Sequence, residues 1–203
     1  MEQIQLTEEV MVSDPCYTVG TWCQTKLGNV LPGKYNWSVG YTDEGSWGTR
    51  VANVMVLHES YDDDDSIDWE DHSEVGVDSG QCGIFSMTSY RNDEIAEGIT
   101  TPPTDFDLPF DEEGDKWYEK MCKFTLSKDQ YGKYDTGVVT SSGLGDGMYP
   151  VEVAYDNDKV IGIRITYLDN SDEEILGDCC GVCGEELNED GTCDFCNEEE
   201  NQD

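Results

Sequence analysis

Basic side chains are scarce in this chain: 11 Lys and Arg stand against 46 Asp and Glu, a formal charge of −35 at pH 7. So acidic a surface repels phosphate arrays and anionic headgroups, which argues against direct nucleic-acid binding and against attachment to a membrane. Histidine is nearly absent, with only His58 and His72. Neither sits in a nucleophile elbow or a zinc-protease helix motif, so His-dependent hydrolysis has no support in the sequence. Nor is there any run near the roughly eighteen apolar residues of a membrane-spanning helix. Residues 1–10 hold three Glu and no apolar stretch. A leader is therefore not expected, and the expected location is cytoplasmic.

What the chain does have is aromatic area: five Trp, eleven Tyr and five Phe offset a hydrophobic fraction of only 36% and suffice for one core. Its nine cysteines are unevenly placed. Cys16, Cys23, Cys82 and Cys122 are scattered, whereas Cys179, Cys180, Cys183, Cys193 and Cys196 crowd the last 25 residues. Charge breaks at the same place. Residues 1–170 carry 33 acidic and 11 basic side chains, a charge of −22, and residues 171–203 carry 13 acidic and no basic ones, −13. Two domains are expected, 1–170 and 171–203.

In the first, apolar residues alternate at period two, the pattern of strands with one buried face. Tyr35, Trp37, Val39 and Tyr41 form one run, and Val51 to Val54, Val56 and His58 another. Residues 149–168 predict a hairpin, with Val151, Val153 and Tyr155 facing one side, a turn at 156–158, and Ile161, Ile163, Ile165 and Tyr167 returning. Helices are predicted within 88–97 and over 112–124, the latter with Trp117, Met121 and Phe124 on one face. Residues 101–110 and 61–71 read as loops, with His72 solvated at the end of the second. The predicted class is mainly β, a sandwich or strongly bent antiparallel sheet with one or two short helices, followed by a small zinc ribbon.

The ribbon rests on two CxxC knuckles, Cys180-Gly-Val-Cys183 and Cys193-Asp-Phe-Cys196, with nine residues between them. Two such turns place four thiolates around one Zn2+, and four protein ligands leave no open position for catalysis, so the ion is structural. Cys179 offers an alternative ligand to Cys180. Val182, Leu187 and Phe195 are nearly the only apolar residues of the segment, so its folding should depend on the metal.

Four stretches carry a resemblance: Val12-Ser-Asp-Pro15, Leu31-Pro-Gly-Lys-Tyr35, Gly76-Val-Asp-Ser-Gly80 and Ser142-Gly-Leu-Gly-Asp-Gly-Met-Tyr-Pro150. In order and spacing, over about residues 10–168, they resemble a domain family of bacteria and their phages whose activity is undetermined. The resemblance implies a β-rich fold and a bacterial cytoplasm, and no reaction. The ribbon departs from the usual outline of that family.

Chemistry in the first domain has few candidates. The glycines of 141–147 could cradle phosphate, but no P-loop Lys or helix follows them. They read better as a tight turn in which Gly145 and Gly147 supply positive φ and Asp146 caps backbone N–H groups. Asp14, Asp78 and Asp146, with Ser79, would form a pocket if the three carboxylates converged. Cys16 and Cys23 read as small buried hydrophobes, and Asp62 to Asp65 lacks the ligand pattern of an EF-hand. The expected function is binding to a basic protein, as an acidic inhibitor or nucleic-acid mimic. Two other readings stand beside it: a small-molecule-binding or hydrolytic pocket near the Gly-Asp-Gly turn, and a virion or assembly component.

Overall fold

The computed structural model describes residues 3–61 and 67–168. Among them eleven strands and two α-helices follow in chain order. The first six strands are β1 (Ile4–Leu6), β2 (Val10–Ser13), β3 (Thr25–Leu27), β4 (Gly33–Asp43), β5 (Thr49–His58) and β6 (Trp69–Val77). After β7 (Gln81–Ser86) come helices α1 (Asp93–Ala96) and α2 (Asp115–Thr125), then β8 (Tyr131–Tyr134), β9 (Gly137–Ser141), β10 (Gly147–Asp156) and β11 (Lys159–Thr166).

The strands make two antiparallel sheets, ordered β1-β4-β5-β11-β10-β6 and β3-β2-β7-β9-β8. The protein is therefore mainly β. Between the sheets lies a core to which the first contributes Tyr35, Val54, Val56, Val153, Ile163 and Ile165, and the second Val10, Val12, Ile84 and Val138. The second sheet is covered on its other face as well. There Met11, Phe85 and Val139 pack with Trp117, Met121 and Phe124 of α2, and the rings of Phe85 and Trp117 meet edge-on at 5.1 Å. Neighbouring residues of one strand thus enter different cores, Val10 and Val12 one and Met11 the other, as the period of two requires.

The hairpin of 149–168 forms as predicted, but its registers slip. Ala154 faces Gly162 and Tyr155 faces Val160, so the extra residue Ile161 forms a bulge and Val160 takes its place in the inter-sheet core, while Tyr155 is 41% exposed. A similar slip between Gly40 and Tyr41 leaves Ala52 as an extra residue in β5 and explains how Val51 and Val54, out of phase with each other, are both buried. His58 does end its strand, whereas His72, expected in a loop, is solvated within β6.

Helix α2 matches its prediction closely, with Trp117, Met121 and Phe124 buried. The helix expected within 88–97 shrinks to one turn at Asp93–Ala96, because residues 87–91 turn back on themselves, with Tyr90 N–H donating to the Ser86 carbonyl. Asn92 caps that turn, and Asp93 reaches across to cap α2, accepting from the N–H groups of Gly114 and Trp117 at 3.0 Å each. No helix among the described residues is long and apolar enough to cross a membrane.

Candidate functional site

Two connections that change sheets lie side by side at one end of the sandwich. Residues 78–80 carry the chain from β6 to β7, and residues 142–146 carry it back from β9 to β10. The loop that leaves β2 joins them through Asp14. One carboxylate oxygen accepts the N–H groups of Asp78 (2.9 Å) and Ser79 (2.7 Å). The other accepts the Ser79 hydroxyl (2.7 Å) and the Cys16 N–H (2.8 Å). The side chain is 0% exposed, so these four donors stand in for the water it has lost.

Asp146 holds the same loop from the other side, accepting the Gly80 N–H at 3.1 Å, while the Gly80 carbonyl accepts from the Ser142 N–H at 3.0 Å. Asp14, Asp78, Ser79 and Asp146 are thus brought together. They meet as a network around one loop, in which Asp14 and Asp146 bind backbone. The cap made by Asp146 is on a residue 66 positions away, not on its own turn. That turn is closed by Ser142, whose hydroxyl donates to the Gly145 carbonyl at 2.7 Å, and by the Tyr149 hydroxyl at the same distance. Gly143 and Gly145 supply the positive φ, at 59° and 122°, and Gly147, expected to share that role, opens β10 instead. The stretch 31–35 is not part of this network. It binds the opposite end of the β10–β11 hairpin, where Leu31 N–H donates to the Val160 carbonyl.

Behind Asp14 the loop is anchored by Tyr90 and Arg91. The Tyr90 hydroxyl lies 2.7 Å from the Tyr17 carbonyl and 3.0 Å from that of Asp14, and Arg91 donates to the carbonyls of Pro15 and Cys16 at 3.1 Å. Burial, and then the Asp14 charge, push the Cys16 thiol well above its ordinary value; Cys82 is shifted the same way for the same reasons. Both shifts favour the protonated thiol at these two positions.

Beside the network opens a cleft of about 600 Å³ lined by Tyr17, Trp22, Cys23, Asp78, Asp146 and Met148, among others. Its apolar side is unusually open: Trp22 is 86% exposed and Met148 45%. Its acidic side is formed by Asp78 and Asp146, both at the surface. Burial and the Asp78 carboxylate raise the Tyr17 phenol, so it stays protonated. Tyr17, Trp22 and Met148 did not stand out in the sequence, although a Trp in a Gly-Thr-Trp turn between two cysteines is an aromatic with no strand or helix face to occupy.

Among the described residues no group of three or more His, Cys, Asp or Glu could hold a metal ion. The two CxxC knuckles, Cys179, Asp62 to Asp65 and the domain 171–203 lie outside the described residues. No family model, curated protein or solved structure matches the chain.

Proposed function

We propose that the β domain is a protein-binding module that takes a basic side chain of its partner into the cleft beside residues 78–80. The observation that carries this reading is Trp22, an indole 86% exposed in a cleft also lined by Asp78 and Asp146. An aromatic face beside carboxylates suits Arg or Lys, because the ring quadrupole and the acids attract the same cation. Trp is also the residue type most enriched where interfaces concentrate their binding energy. The charge of −35 adds long-range attraction and faster encounter with a basic surface. In its strongest form the partner is a nucleic-acid-binding protein whose phosphate groove this acidic surface fills.

A hydrolytic role for the three aspartates has less support, since both oxygens of Asp14 are occupied by loop donors and its side chain is sealed from the cleft's solvent. For the C-terminal segment we propose a structural zinc on Cys180, Cys183, Cys193 and Cys196, on ligand type and spacing alone.

The cleft is tested with the full chain and a fluorescent Arg-rich peptide, by anisotropy at several salt concentrations. Binding is expected to weaken with salt, and to fall about 30-fold in Trp22→Ala with an unchanged melting temperature. Equal affinity of Trp22→Ala and the parent would sink the proposal.

A further inference from the structure

On the other side of residues 79–81 lies a second cavity, about 380 Å³, whose chemistry is opposite to that of the acidic cleft. Arg50, on β5, lines it together with Gln81, Phe106, Tyr118, Thr125 and Gln130. No Asp or Glu is among its lining residues, in a chain with 46 of them. Arg50 itself is unusual. The other two arginines have carboxylate partners, Arg91 with Asp115 at 3.3 Å and Arg164 with both oxygens of Glu152. Among the described residues Arg50 has no ion pair, and its Nε is buried without a hydrogen-bond partner. With Nε closed off from solvent, the Nη groups of a guanidinium that no carboxylate neutralises are left to take an anion in a charge-assisted contact.

We infer that this cavity is a binding site for a small aromatic monocarboxylate, held by Arg50 and flanked by Phe106 and Tyr118. Its size falls within the range of small-molecule sites, and its mixture of two rings with a few neutral polar groups is that of a site that orients one flat ligand. A single positive group within a strongly negative protein favours one negative charge over two, which selects a carboxylate over a phosphate monoester. The inference is independent of the cleft at Trp22 and concerns a different ligand class.

The test uses the full chain and three probes of matched shape: benzoate, benzamide and phenyl phosphate. In NMR titrations benzoate is expected to shift the Arg50 Nε–H and the side-chain amides of Gln81 and Gln130 saturably. Benzamide, which lacks the charge, should bind at least about tenfold more weakly, a comparison that needs no variant. In Arg50→Met the benzoate shifts should be lost, while the Arg-rich peptide still binds. Absence of saturable shifts, benzamide equal to benzoate, or phenyl phosphate tighter than benzoate would each overturn the assignment.

Discussion

The Asp14 carboxylate and the Ser79 hydroxyl lie 2.7 Å apart although 65 residues separate them in the chain. That contact ties the end of a strand in one sheet to the connection by which the chain enters it from the other. Asp14→Ala removes four hydrogen bonds at once and leaves three loop N–H groups and a hydroxyl without an acceptor. The expected loss is about 3 kcal/mol or more, read from urea unfolding, against about 1 kcal/mol for Ser79→Ala. A loss for Asp14→Ala no larger than for Ser79→Ala would show that the network does not hold the loop.

His58 gives the pH dependence a specific contributor. Its Nδ1 accepts the Ser60 N–H at 3.2 Å, its ring meets Tyr35 edge-on, and burial lowers its proton affinity, with Glu59 acting in the opposite direction. The unfolded chain therefore binds the proton more readily. Stability from neutral His58 is complete above the ordinary value of 6.5 and declines as pH falls from there toward the lowered folded value. In His58→Gln the fall in stability between about pH 7 and 5 should be shallower than in the parent, as measured by thermal melts across that window. Identical slopes would assign the effect to other groups.

Gly132 in β8 faces the ring of Phe124 so closely that an added Cβ would overlap it. Gly132→Ala should cost about 1 to 3 kcal/mol through overpacking of the helix against the second sheet. Gly28→Ala is the control, since nothing lies within 4 Å of its Cβ position. Equal melting temperatures for the two variants would contradict the packing of α2 on β8.

A native mass spectrum of the full chain is expected to carry one zinc, lost on chelation and on Cys183→Ser or Cys193→Ser. A metal-free spectrum at neutral pH after preparation without chelator would remove the zinc from this protein.

Much of the first sheet was legible because its strands have one buried face, so Val54, Val56, Ile163 and Ile165 announce themselves by alternation. Strands β2, β7 and β9 were not, and for a physical reason. Each is buried on both faces, as in Val10–Ser13 and Gln81–Ser86, so the alternation that marks a strand is erased. Bulges hid the phase of β5 and β11, since the extra residues Ala52 and Ile161 shift the alternation of the strand that carries them without leaving a mark in composition. The candidate pocket was half legible. Asp14, Asp78, Ser79 and Asp146 were picked out one by one, but only the sheet-changing connections reveal that they share a loop. Arg50 gave no signal at all, because what distinguishes it is a missing partner.

The last strand of the first sheet, β6, presents Glu70, Asp71 and Glu74 at the surface along the border of that sheet. Residues 23–25 cover that border at Glu74 and Gly76, and the stretch before it, left as a sheet edge, is of the kind that invites a second copy to add its own strand and begin a fibril. Here two approaching copies would bring rows of like charge into register. The same acidity insulates the chain from polymerising with itself, and in concentrated solution that protection should weaken as salt is raised.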